Sequence, residues 1–186
     1  VAGLDPLLAA VSKVALSHGG DVTSSGLGGA LLKVNGRELL QIGGKSPPSG
    51  SDSEVPCDHQ QVASVAASLS FPTGALSVIC WTDGPFPGGA YEVSTGRHWV
   101  LKLPPLPDPV MSPVGAGDAT AAATFHAWQL LASSDDGMSE QTLPAAVRAF
   151  TFGLACGGAS CLTSQNSEFD LNLALSLFHS AEITEQ

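Results

Sequence analysis

The stretch SPVGAGDATAAATFHAW, residues Ser112 to Trp128, places a glycine-rich turn directly before a run of small, helix-forming residues. Such a turn presents unpaired backbone N–H groups at the positive end of the helix dipole. Gly115, Ala116 and Gly117 supply these groups, and their small size lets a ligand approach the backbone closely. The stretch therefore predicts a helix from about Gly115 to Ser133 with an anion site at its start.

Asp118 follows in the first turn of this predicted helix. One interpretation is structural, because a carboxylate at this position complements the helix dipole. The other is catalytic: the carboxylate can take a proton from a hydroxyl while the N–H groups hold a transferring phosphoryl group. The residues alone leave both interpretations open.

Composition excludes several classes of protein. The chain has 186 residues, 44% of them hydrophobic, and a formal net charge of −10, which argues against nucleic acid and anionic membrane surfaces as partners. No apolar run approaches the length of a membrane span, and no signal peptide pattern is present. Cys57, Cys80, Cys156 and Cys161 form no zinc-binding spacing, so we expect free thiols in a reducing compartment. The default location is the cytoplasm, with an organelle left open because the chain begins at Val1, which suggests a processed, truncated or partial sequence.

Helical patterns alternate with apolar runs of strand type, which indicates one α/β layered fold with a largely parallel sheet. A polar loop at Lys45–Pro56 is expected to be a surface excursion, and TDGPFPGG, residues 82–89, a turn. The predicted helices are Leu4–Gly20, Asn35–Gly44, Asp58–Ser70, Gly115–Ser133, Leu143–Ser160 and Phe169–Ser180, and the predicted strands are Gly29–Val34, Ala75–Trp81, Ala90–Ser94 and Arg97–Leu103.

Four motifs together resemble one family. SPVGAGDAT looks like the GAGD signature of the ribokinase, or PfkB, family of sugar kinases, and its wording is most like the tagatose-6-phosphate kinase and 1-phosphofructokinase branch. LLKVNGRELLQIGG (Leu31–Gly44), SVICWTDGPFPGGAYEV (Ser77–Val93) and FGLACGGASCLT (Phe152–Thr163) are similar to three further family segments, in the family's order. The family writes KPN where this chain has Lys33–Asn35, and its acid–threonine pair before GAGD is Ser112–Pro113 here.

The resemblance implies an ATP-dependent kinase that phosphorylates a hydroxyl of a sugar or sugar phosphate. Asp118 would be the catalytic base, and Gly115, Ala116 and Gly117 the anion hole for the γ-phosphate. Asn35 and Glu38 would act on Mg²⁺ and the phosphates through water. A monovalent cation is a further candidate cofactor.

The resemblance also implies a nucleotide pocket. Thr82 and Gly84 would lie along the phosphates and ribose, with Asp83 between them pointing to solvent. Ala155, Gly158 and Cys161 would line the adenine. Close helix packing is the alternative for these small residues, and an exposed first-turn glutamate is the alternative for Glu38.

The implied architecture is a three-layer α-β-α, ribokinase-like (Rossmann-like) fold, of which residues 1–186 would be the C-terminal nucleotide-binding and catalytic part. The N-terminal sugar-binding part and the lid, through which a homodimer would form, have no counterpart in the sequence. A non-catalytic structural protein on the same fold and a nucleoside kinase stay as alternatives. A Rossmann dehydrogenase is disfavoured, because GxGxxG is absent.

Overall fold

The computed structural model describes residues 30–50, 54–69, 76–132 and 143–186. The predicted helix Leu4–Gly20 and the acidic loop at 133–140 lie outside these residues. Five strands form one sheet in the order β1-β2-β3-β4-β5. The strands are β1 (Ala30–Asn35), β2 (Leu76–Asp83), β3 (Phe86–Glu92), β4 (His98–Lys102) and β5 (Glu182–Glu185), and the helices are α1 (Gly36–Ile42), α2 (His59–Ser68), α3 (Ala116–Ala132), α4 (Ala145–Ser160) and α5 (Leu171–His179).

The chain divides into two compact units. The first is Val1–Val100 with Glu185–Gln186, and the second is Leu101–Thr184. The α/β class predicted from the sequence is confirmed. In the described parts of the chain, no helix combines the length and the apolar character needed to cross a membrane.

The sheet is mixed, which corrects the expectation of a largely parallel one. β1 and β2 are parallel, with Asn35 opposite Thr82 at their carboxyl ends. β2 and β3 are antiparallel, with Asp83 opposite Phe86. Gly84 has a φ of +58°, a left-handed conformation that glycine adopts without a steric penalty, and it folds the chain back here.

β3 begins at Phe86, four residues before the predicted strand and inside the stretch expected to be a turn. The prolines and glycines of this stretch look like turn residues, but Pro87 falls where the β2–β3 register is irregular, between Trp81 and Asp83. Proline is tolerated at such an irregularity because no ladder hydrogen bond needs its missing N–H.

Trp81 fills the core of the first unit. The residue is fully buried, and a Cβ atom added to Gly89 would overlap its indole ring, so this glycine makes room for the tryptophan. The His59 ring lies beside it, with the two ring centroids 5.9 Å apart. Leu39, Leu40, Val62 and Ile79 complete the centre of this cluster.

Helices α3 and α4 of the second unit pack through glycines. A Cβ on Gly153 would overlap the Thr124 hydroxyl, and one on Gly157 would overlap the Thr120 hydroxyl. The Thr120 hydroxyl donates to the Ala116 carbonyl at 2.8 Å. A Cβ on Gly157 would also lie 2.8 Å from that carbonyl, so the packing reaches the first residue of α3.

Three predicted helix starts are confirmed by their caps. Asp58 accepts from the N–H groups of Gln60 and Gln61, and Asp170 accepts from those of Asn172 and Leu173. Asn35 caps α1. These caps are local side chain–backbone contacts, which is why the sequence reveals them.

Candidate functional site

The Gly115 turn has the shape predicted from the sequence. Gly115 has a φ of +85°. A Cβ atom there would lie 2.7 Å from the Ser167 hydroxyl oxygen, so conformation and space both require glycine. The Ala119 N–H donates to the Gly115 carbonyl at 2.9 Å as the first hydrogen bond of α3.

Asp118 is the third residue of α3 and is exposed. Within the described residues, the N–H groups of Gly117 and Asp118 donate no hydrogen bond to the protein. The Ala116 N–H makes a long 3.3 Å bond to the Pro113 carbonyl. The open N–H groups are suited to binding an anion, and the accessible carboxylate of Asp118 lies in the same helical turn.

The segment after α4 forms hydrogen bonds with the turn and with the residues that lead into it. The Cys161 carbonyl accepts from the N–H groups of Met111 and Ser112, at 2.8 and 3.2 Å. The Ser167 hydroxyl donates to the Gly115 carbonyl at 3.2 Å. Nothing in the sequence marks Ser167, because a serine in a polar loop has no pattern that reveals such a contact.

Asn35 and Glu38, which the family resemblance assigns to Mg²⁺ and the phosphates, lie in the first unit. The Asn35 side-chain oxygen accepts from the Arg37 N–H at 2.8 Å, and the Asn35 N–H donates to the Glu38 carboxylate at 3.0 Å. The two side chains thus form a capping box. Glu38 is exposed, and Thr82 stands opposite Asn35 on the neighbouring parallel strand. The structure therefore brings Asn35, Glu38 and Thr82 together where two parallel strands end, the edge at which α/β sheets bind ligands.

Asp83 does not point to solvent as predicted. Only 1% of the residue is exposed, and its carboxylate accepts from the Cys57 N–H at 2.7 Å. This contact ties the end of β2 to the segment that enters α2. A partner 26 positions earlier in the chain leaves no local signal, which explains the wrong prediction. Gly84, beside it, is exposed in the turn.

The predicted adenine-lining residues differ in accessibility. Ala155 is fully buried in the cluster with Ala174 and Leu177, which is the close-packing alternative. Gly158 is half-buried, and a Cβ there would lie 3.3 Å from Leu103 and 3.5 Å from Leu106. Cys161 is half-buried at the end of α4.

The four cysteines are buried or half-buried. All four are free thiols, and Cys57, Cys80 and Cys156 are buried. Burial raises the pKa of Cys156 to about 11, and it also raises the pKa values of Cys80 and Cys161. No group of three or more His, Cys, Asp or Glu side chains in the described residues could hold a metal ion directly.

Comparison with known proteins gives one consistent result. No family model and no curated protein matches the chain. Solved structures do: ribokinase from Giardia lamblia (TM-score 0.58, 18% identity, 74% of this chain), ribokinase from Cryptococcus neoformans var. grubii in complex with ADP (0.56, 18%, 94%) and phosphofructokinase-2 from Escherichia coli in complex with potassium (0.55, 18%, 85%).

The matches cover only part of these structures. The chain spans 39% of the Giardia ribokinase, 58% of the Cryptococcus ribokinase and 43% of the phosphofructokinase. Similarity at this level of identity reports the fold. The chain has the ribokinase-like fold of these structures.

Proposed function

We propose that the protein transfers the γ-phosphoryl group of ATP to a hydroxyl of a sugar or sugar phosphate. The observation that carries this proposal is the exposed carboxylate of Asp118 in the same helical turn as the open N–H groups of Gly117 and Asp118. A base and anion-binding donors at one helix end are the parts that phosphoryl transfer to an alcohol requires. The kinase fold supports the same reaction.

Asp118 is the base in this proposal. Its carboxylate accepts the proton of the acceptor hydroxyl, whose oxygen forms a bond to the γ-phosphorus. The bond from that phosphorus to the β–γ bridging oxygen breaks, and ADP leaves with the electron pair. The Gly115–Gly117 backbone stabilises charge on the transferring group. The long Ala116–Pro113 hydrogen bond is weak enough for this N–H to exchange it for a phosphoryl oxygen.

The same proposal assigns nucleotide binding to four residues. Thr82 and Gly84 lie along the phosphates and ribose in this proposal, and Gly158 and Cys161 line the adenine. Ala155, which is fully buried, supports the helix packing instead.

Mg²⁺ would be held through water by Asn35 and Glu38. An exposed carboxylate beside an amide suits this ion, which keeps several of its water molecules when it binds protein. When bound, Mg²⁺ neutralises charge on the phosphates of ATP. The monovalent cation, the homodimer, the cytoplasmic location and the assignment of residues 1–186 to one catalytic part stay predictions.

The test is a phosphotransfer assay on the protein and its Asp118→Asn variant, with sugars, sugar phosphates and nucleosides as acceptors. Removing the base should lower kcat by at least about 10²-fold. Asp108→Asn is the matched control, since Asp108 is also exposed but lies in the connector before the turn, and its activity should equal that of the parent.

Each outcome separates the alternatives. Normal turnover by Asp118→Asn would refute the role of Asp118. Transfer to nucleosides but not to sugars would favour a nucleoside kinase. Titration calorimetry with ATP and an unhydrolysed analogue, with and without Mg²⁺, tests the alternative of a non-catalytic structural protein. A folded protein that neither binds nor turns over ATP would favour this structural role.

A further inference from the structure

Ser167 has an unusual backbone conformation. Its φ of +63° makes it the one non-glycine residue in the left-handed region among the described residues. A Cβ atom makes this conformation costly, so it persists where surrounding contacts impose it. Such positions are concentrated at functional sites.

The contacts that hold Ser167 come from its own loop. The Thr163 hydroxyl lies 2.8 Å from the Gln165 carbonyl and 3.1 Å from the Glu168 carbonyl, on either side of Ser167. The loop is anchored because Cys161, just before Thr163, accepts hydrogen bonds from Met111 and Ser112. The loop therefore holds Ser167 at a fixed place against the segment that leads into the Gly115 turn.

Ser167 meets Gly115 at two points. Its hydroxyl donates to the Gly115 carbonyl at 3.2 Å, and its backbone N would lie 2.8 Å from a Cβ atom on Gly115. The Gly115 carbonyl also accepts the Ala119 N–H. Two donors from different elements thus fix the direction of this carbonyl.

The direction of this carbonyl sets the direction of a neighbouring donor. The carbonyl of Gly115 and the N–H of Ala116 belong to one planar peptide unit, so rotating one rotates the other. We propose that Ser167 is a positioning residue that holds the Gly115–Ala116 peptide of the anion hole. This inference rests on the proposed function and adds to it a residue outside the GAGD stretch.

Two substitutions separate positioning from stability. Ser167→Gly removes the hydroxyl and relieves the left-handed strain, so its Tm should equal or exceed that of the parent. Ser167→Ala removes the hydroxyl and keeps the strain. Both should lower kcat by about 10-fold, less than the roughly 10²–10³ of losing a donor outright, and change the KM for ATP less than twofold. Ser164→Gly, an exposed serine in the same loop, should leave both constants unchanged.

Turnover is measured below the Tm of every variant, so that all of them are folded. A structural role would make kcat fall only where Tm falls. An unchanged kcat in Ser167→Gly would overturn the proposal.

A second readout does not depend on kinase activity. Hydrogen exchange of the hydrogen-bonded amides of Ala116 and Ala119 should be faster in Ser167→Gly than in the parent, because the peptide has lost one of its two restraints. Unchanged exchange would refute the positioning role. An inactive parent protein with faster exchange in the variant would refute the proposed function alone.

Discussion

Asn35 and Glu38 cap α1 reciprocally: the Asn35 side chain accepts from the backbone two residues on, and the Glu38 carboxylate accepts from the Asn35 N–H at 3.0 Å. The two residues that resemble a nucleotide-site motif therefore also stabilise the helix that carries them. A loss of ATP binding in an alanine variant would not distinguish the two roles. Glutamine can replace glutamate in a capping box, and this makes the roles separable.

We predict that Glu38→Gln keeps stability and loses Mg²⁺-dependent ATP binding. The glutamine oxygen can still accept from the Asn35 N–H, so the free energy of unfolding should change by less than about 0.5 kcal/mol. The lost negative charge should weaken the hold on hydrated Mg²⁺. Titration calorimetry with ATP, with and without Mg²⁺, measures this. Asn35→Ala is the structural reference and should cost about 1 kcal/mol. Equal Mg²⁺ dependence in Glu38→Gln and the parent would count against the metal role.

We predict that Gly157→Ala destabilises the second unit. Alanine in a helix is normally favoured over glycine by about 1 kcal/mol. Here the new Cβ would overlap the Thr120 hydroxyl and lie 2.8 Å from the Ala116 carbonyl, and overpacking of this kind costs about 1–3 kcal/mol. Denaturant unfolding should therefore show a net loss of stability.

The next residue supplies the control for this prediction. A Cβ on Gly158 would meet only leucine side chains, at 3.3 Å or more, and these can move slightly. Gly158→Ala should therefore be neutral or stabilising. If both variants had the same stability, the close contact of α3 with α4 would not be the reason for glycine at 157.

The sequence predicts the structural features that depend on contacts between neighbouring residues. The caps at Asp58 and Asp170 and the glycine turn at Gly115 are local, because side chain and backbone within a few residues satisfy each other. The Gly115 turn is also the part of the candidate site that the motif describes.

Contacts between residues far apart in the sequence leave no local pattern and cannot be predicted in this way. Asp83 is buried because Cys57 donates to it, and Ser167 reaches Gly115 over 52 positions in sequence. Strand β5 is not predicted from the sequence for another reason. Its residues are mostly polar and exposed, so Glu182–Glu185 has no apolar alternation, and pairing within the sheet makes it a strand.

We predict that His59 makes stability depend on pH. Burial lowers the pKa of His59, although the nearby Asp83 carboxylate partly opposes this. Its pKa is therefore lower in the folded than in the unfolded state, and the unfolded state binds the proton more readily. Neutral His59 makes its full contribution to stability above the pKa of the unfolded state, about 6.5. The contribution is lost as the pH falls below this value and through the lower pKa of the folded state.

Two variants test this dependence. His59→Phe keeps a ring beside Trp81 and should flatten the decrease in Tm below pH 6.5. His126→Gln, at an exposed position of α3, should retain the decrease of the parent. A decrease in His59→Phe as steep as that of the parent would assign the pH dependence to other groups.

We predict that Arg37→Lys loosens the loop that follows α1. The buried Arg37 guanidinium donates to the carbonyls of Pro48, Gly50 and Val55, at 2.7, 3.2 and 2.8 Å. Lysine has a single ammonium group and cannot reproduce the planar fork that reaches these carbonyls. A hydrogen bond from a charged donor contributes about 1.5–3 kcal/mol, so the loss of one of these bonds should lower Tm. Cleavage by a glutamate-specific protease at the exposed Glu54 should become faster, while Arg148→Lys, at an exposed position of α4, should change neither quantity. Cleavage at the parental rate in Arg37→Lys would mean that other contacts hold this loop in place.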